Sequence, residues 1–178
     1  MKFYVLSSNI DYQMNLFSVR TVVASLLLLG SQFAIANDEV GDILSSSSAP
    51  AGVVFEMLTH EPSTWPKALA YIKQSVKRLR AKHPKMSFAI VSHGMEEFAL
   101  LKKEENKHTA LHKDVKSLLK DNIKVEVCGT FAEWNGYDKT DFPDYVTIVD
   151  QAPSSIEFYE EDGFSVIVIT ESMLNALK

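Results

Sequence analysis

The stretch "DNIKVEVCGTFAEWNGY", residues 121–137, holds the only cysteine of the chain, Cys128, at the point where an alternating apolar run meets a glycine. A cysteine acts as a nucleophile or a metal ligand in its thiolate form. That chemistry asks for a nearby base or for N–H groups turned toward the sulfur. Two histidines stand at equivalent places: His60 in "THEP" and His93 in "SHG", each just past a short apolar run. Gly129 permits close backbone approach, and "TFAEW" opens a helix whose first N–H groups favour a thiolate. An adjacent histidine would accept the thiol proton or assist as an imidazolium. Cys128, His93 and His60 are therefore the candidate catalytic residues.

Other readings of the same residues stay open. Cysteine is among the most buried residue types, so Cys128 also fits as an inert filler, and each histidine fits as a structural one. Imidazole and thiolate together suit zinc or copper, but the close paired spacing of a structural zinc site is missing. Neither a glycine-rich phosphate loop nor a serine elbow is present. No cofactor and no metal are expected. His108 and His112 lie four apart in a lysine-rich helical segment and read as a solvated face.

These groups need elements to hold them. "VVFEMLT", "MSFAIVS", "IKVEVC", "YVTIVD" and "FSVIVIT" read as strands rich in valine and isoleucine. Between them, "EPSTWPKALAYIKQSVKRLRAKHP" puts Trp65, Leu69, Ile72, Val76 and Leu79 on one helical face, with Ser63 or Thr64 as cap and Pro66 in the first turn. "HGMEEFALLKKE" reads as a loop with a short helix. "KHTALHKDVKSLLKDN" carries the stripe Leu111, Val115, Leu118 and Leu119, and "PSSIEFYEEDG" is a helix closed by Gly163. Alternating strands and helices predict a mostly parallel five-stranded sheet in a three-layer α/β/α sandwich. In such a sheet the carboxyl ends of the strands share one rim, where ligands bind at a switch in topology. The three candidate residues all sit at strand exits.

Composition limits the function classes. The chain has 178 residues, a net charge of −5 and 46% hydrophobic residues, which suits one globular domain. An acidic chain offers no broad basic field for phosphate backbones, so nucleic acid is not an expected partner. One cysteine cannot close an internal disulfide.

Residues 1–36 read as a signal peptide. Arg20 precedes "TVVASLLLLG", and Ala34 and Ala36 give a small-x-small cleavage site before Asn37. The apolar run is shorter than the ~20 residues that cross a bilayer, so no membrane attachment is expected after cleavage. Met14 offers a second start. The expected location is periplasmic or secreted. Residues 37–51, with their serine run, read as a flexible linker, and 52–178 as the folded domain.

The cysteine segment resembles that of the DsrE/DsrF/TusD-like sulfur-transfer proteins, in which a helix ends, a strand runs into a single cysteine and a short helix follows. "IVSHGMEEFALL" looks like the family's second strand with its His-Gly, and "PSSIEFYEEDGFSVIVI" is similar to its closing helix, glycine and last strand. The similarity runs from about Val53 to Thr170. It implies a flavodoxin-like domain assembled into homo-oligomers, trimers or hexamers. It also implies a sulfur carrier that holds sulfur as a persulfide on Cys128, taking it from a donor protein or small sulfur species and passing it to an acceptor. The alternative is a non-catalytic oligomeric protein of the cell envelope that binds a small ligand or metal at the same rim.

Overall fold

A computed structural model describes residues 38–177, and the expected signal peptide over 1–36 lies outside the described residues. The five valine- and isoleucine-rich runs form strands β1 (Gly52–Met57), β2 (Ser87–Ser92), β3 (Ile123–Cys128), β4 (Thr147–Val149) and β5 (Phe164–Ile169). They pair in the order β4-β3-β2-β1-β5, every pair parallel. The sheet is thus wholly parallel, and with helices on both faces it makes a flavodoxin-like α/β/α sandwich.

The helices divide by face as side-chain alternation dictates. Along β1, Val53, Phe55 and Met57 point one way and Val54 and Glu56 the other. On the first face lie α1 (Glu39–Ser45), α2 (Trp65–Lys82) and α3 (Thr109–Lys120). Trp65, Leu69, Ile72, Val76 and Leu79 of α2 and Leu111, Val115 and Leu118 of α3 are buried there against the odd-numbered residues of β1. At the end of the chain α6 (Glu171–Ala176) adds Leu174 to this core, its start capped by the Thr170 hydroxyl. The second face is thinner. It carries α5 (Ala152–Glu161), whose Ala152, Ile156 and Tyr159 pack on Val54, Ala89, Val91 and Cys128.

This split follows from chain direction. Right-handed crossovers from β1 to β2 to β3 march across the sheet with their helices on one face, whereas the return from β4 to β5 at the far edge needs its helix on the other. Glu126 of β3 fastens that return. Its carboxylate accepts the hydroxyls of Ser155 at 2.7 Å and Tyr159 at 2.8 Å, and burial together with this bond raises the Tyr159 phenol well above its usual range.

Three local expectations need correcting. The segment 37–51 is not a flexible linker throughout: α1 occupies it, capped by the Asp38 side chain on the Gly41 N–H, and buries Val40 and Ile43 in the main core. Val40, Ile43 and Leu44 have the i, i+3, i+4 spacing of an amphipathic turn, which the adjacent serines mask. Thr64 stands at the start of α2 but makes no capping bond, because its hydroxyl is engaged by Thr59 at 2.8 Å and by the Glu61 carbonyl at 2.8 Å. His112 is not on a solvated face. It is buried, with Nε2 on the Ala99 carbonyl at 2.9 Å and Nδ1 bonded to the Tyr145 hydroxyl. The carbonyl can only accept, so Nε2 carries the proton and Nδ1 accepts from the tyrosine. Among the described residues no helix is long and apolar enough to cross a membrane.

Candidate functional site

Cys128 is the last residue of β3 and pairs with Val149, the last of β4. The chain after β3 enters α4 (Gly129–Trp134), which buries Ala132 on the first face, while the chain after β4 enters α5 on the second. The two connections part company at this boundary. A crevice opens where successive crossovers leave on opposite faces, and Cys128 stands in it. Gly129 is what lets the two exits close up: a Cβ there would lie 3.0 Å from the Val149 carbonyl oxygen and 3.2 Å from Ile148 Cγ2.

The crevice is a cavity of about 230 Å³, lined by Cys128 and His93 with Thr130, Phe131, Trp134, Gln151 and Pro153. Cys128 is only 5% exposed, so it is reached through this space. Its sulfur accepts the N–H of Ala152 at 3.4 Å. That donor is the first residue of α5, a ten-residue helix, so the positive end of the helix dipole faces the thiol. Sequence reasoning assigned this role to the helix of "TFAEW". In the structure Cys128 merely precedes α4 and makes no side-chain capping bond to it.

His93 follows β2, the strand beside β3. Its Nε2 lies 2.8 Å from Glu56 Oε1 of β1, and both side chains are mostly buried. Glu56 faces the thin side of the sheet, in register with Val91 and Val168. This carboxylate fixes the ring orientation of the histidine that shares the cavity with the thiol. A carboxylate–histidine pair thus shares one cavity with the thiol.

His60 is not brought to this cavity. It follows β1, separated from β3 by β2, and its ring is exposed while its backbone N–H bonds the Glu171 carboxylate. Among the described residues, no three His, Cys, Asp or Glu side chains are grouped so that they could hold a metal ion.

Two further acids stand behind the thiol. The turn Met95–Leu100 follows His93-Gly94 and places Glu96 and Glu97 inside, both with 0% exposure. Glu96 accepts four bonds: from the Thr59 N–H at 2.9 Å, the Thr59 hydroxyl at 2.8 Å, the Ser92 hydroxyl at 2.7 Å and the Gly94 N–H at 3.1 Å. Its backbone carbonyl accepts the Trp65 indole N–H at 2.9 Å. Glu96 thereby ties the exits of β1 and β2 together. Gly94 makes this possible, since a Cβ there would stand 2.3 Å from the Thr59 carbonyl oxygen. Glu97 turns toward β3, where Oε2 accepts the backbone N–H of Cys128 at 3.3 Å and Oε1 is buried without a partner. Burial, reinforced by the neighbouring Glu96 charge and opposed by the Cys128 N–H, pushes the Glu97 carboxyl up to about 9.

Sequence reasoning missed Glu56, Glu96 and Glu97. One signal was available: an acidic residue inside the apolar run "VVFEML", and a pair of them one residue after "SHG".

No protein-family model matches the chain, and none of the curated proteins is detectably similar. Solved structures do resemble it. A protein of unknown function from Methanobacterium thermoautotrophicum is 19% identical, with a TM-score of 0.53, and the match covers 66% of this chain and 99% of that one. A second protein of unknown function, from Bacteroides thetaiotaomicron, is 13% identical over 66% of this chain and 94% of its own, at a TM-score of 0.48. At such identity the first likeness concerns architecture alone: this chain shares a parallel α/β fold with the archaeal protein.

Proposed function

We propose that this protein is a sulfur carrier that holds sulfur as a persulfide on Cys128. The observation that carries the reading is the meeting of three groups in one small cavity: the Cys128 sulfur, the Ala152 N–H upon it, and His93 braced by Glu56. The resemblance of the cysteine and His-Gly segments to the DsrE-type sulfur-transfer proteins points to the same chemistry.

The transfer is a displacement at sulfur. The Cys128 thiolate attacks the outer sulfur of a donor persulfide R–S–SH, the donor's S–S bond breaks as the Cys128 S–S bond forms, and R–S⁻ departs. The proton that left Cys128 passes through His93 to the departing thiolate. Donor and product sulfur keep their oxidation states, so no external oxidant enters. Delivery to an acceptor thiol is the same step reversed. The Ala152 N–H at the start of α5 is the donor within reach of the Cys128 sulfur during the exchange.

Cavity size supports a small cargo. About 230 Å³ falls below the ~300–1,000 Å³ usual for drug-sized ligands and is enough for one added sulfur with a few waters. Trp134, 79% exposed at the cavity mouth, offers a contact for the donor or acceptor.

The same reading takes the chain as exported, on the strength of Arg20, the apolar run and the Ala34/Ala36 site, and as a homo-oligomer. In support of the latter, α5 leaves the second face partly uncovered, with Val168 and Phe158 exposed. N-terminal sequencing that finds a mature chain starting at Asn37 supports export, and a start before residue 30 rejects it. A monomer in light scattering rejects the oligomer. The function is tested by incubating the protein with a radiolabelled sulfane-sulfur donor. Label is expected on wild type and none on Cys128→Ser; equal labelling of both would overturn the assignment.

A further inference from the structure

The turn Met95–Leu100 lies outside the cavity, yet the exits of β1, β2 and β3 are tied to it. In a turn of about three residues per revolution, adjacent side chains diverge by roughly a third of a circle. Glu96 therefore reaches β1 and β2, while Glu97 reaches β3. Phe98 completes the hold on the cysteine segment, stacking on Phe131 of α4 with ring centroids 5.7 Å apart.

The two acids are built differently. Glu96 has four donors and fills the accepting capacity of a carboxylate. Glu97 has one, and its second oxygen is fully buried with none. An apolar residue would fill such a position at lower cost, because an unpaired buried polar atom is expensive. The one bond Glu97 does make goes to the backbone N–H of Cys128.

From this geometry we infer that Glu97 is a positioning residue for Cys128: an uncharged carboxyl that fixes the β3 exit through the Cys128 N–H and keeps a second negative charge away from the sulfur while the thiolate forms. The inference deepens the sulfur-carrier reading but does not depend on the cargo, since it concerns the reactivity of the thiol toward any electrophile. The titratable groups facing Glu97 are Glu96, from its own turn, and Cys128, from β3. The Glu96 charge opposes charge on Glu97, and the Cys128 N–H favours it.

The test is the rate of Cys128 alkylation by iodoacetamide from pH 6 to 10 in the full chain, for wild type, Glu97→Gln and Glu97→Leu, with urea denaturation of each as a check on folding. Glutamine keeps an acceptor for the Cys128 N–H and cannot ionise; leucine keeps the volume and loses the acceptor. At pH 7 Glu97→Gln is expected to alkylate within about twofold of wild type and Glu97→Leu to differ by roughly fivefold or more, the scale of one lost backbone hydrogen bond. Above pH 9 the wild-type profile is expected to broaden into two steps, while Glu97→Gln follows one. A folded Glu97→Leu with the wild-type rate overturns the positioning role. If that variant does not fold, the decision falls to Glu97→Gln, and a profile superimposed on wild type up to pH 10 overturns the inference. Failure to load persulfide with these alkylation differences intact would reject the cargo and leave the role of Glu97 standing.

Discussion

Replacing Glu97 by glutamine should stabilise the protein, and increasingly so as the pH rises. Glu97 is fully buried, and its carboxyl is raised from 4.5 to about 9, chiefly by burial. Between those two values the folded protein keeps a proton that the unfolded chain has released. Stability then falls with pH, because its slope follows the protons bound in the unfolded state minus those bound in the native state. The contribution is complete below pH 4.5, declines by about 1.4 kcal/mol per pH unit above it and is lost once the folded carboxyl ionises near 9. By pH 7 the loss is about 3 kcal/mol, and by pH 9 about 6 kcal/mol, against the ~5–15 kcal/mol that holds a typical domain together. Glutamine has no such term. Urea denaturation of wild type and Glu97→Gln at several pH values from 4.5 to 9 isolates it, since every other titrating group cancels in the difference. The gap in favour of the variant should widen by about 3 kcal/mol from pH 4.5 to 7. A gap that stays constant over that range would refute the claim that Glu97 is held protonated.

Three other substitutions bear on the fold and the rim. Val40→Asp puts an unpaired charge where α1 packs into the core, and should cost about 3 kcal/mol or more in urea denaturation; an unchanged midpoint would return residues 37–51 to the status of a tether. His112→Ala removes a buried ring and strands the Ala99 carbonyl and the Tyr145 hydroxyl, for an expected loss of about 2–4 kcal/mol, whereas a solvated histidine would cost almost nothing. Gly129→Ala forces a methyl within 3.0 Å of the Val149 carbonyl oxygen, and should lower stability by about 1–3 kcal/mol through parting the β3 and β4 exits; a neutral thermal melt would show that these exits yield freely.

The strands were legible because fully parallel strands are buried on both sides and so read as unbroken valine-isoleucine runs. The positions of Cys128 and His93 at strand exits followed from that reading, and the adjacency of those strands came from the sheet order. What stayed hidden depends on partners distant in sequence. Glu56 meets His93 across 37 residues, Glu97 meets Cys128 across 31, and His112 meets Tyr145 across 33. Nothing local distinguishes a core histidine in "LHKD" from a surface one, and the local signal for the acids does not say what they meet. His60 shows the opposite failure. A strand exit was enough to nominate it, but its place in the strand order put β2 between it and β3. The helix α1 was obscured by composition, since one turn and a half of apolar spacing is outweighed by four serines.

The central claim is that Cys128 carries sulfur, and the most direct measurement is the intact mass of the protein after incubation with a small persulfide donor, followed by addition of an acceptor thiol. The account predicts the mass of one added sulfur on wild type, located to the peptide holding Cys128, lost again on adding the acceptor and never gained by Cys128→Ser. It also predicts slower loading in His93→Ala, because the proton must then leave Cys128 without the imidazole that shares its cavity. A wild-type mass that stays unchanged with every donor offered, while the thiol remains free and alkylatable, would contradict the account.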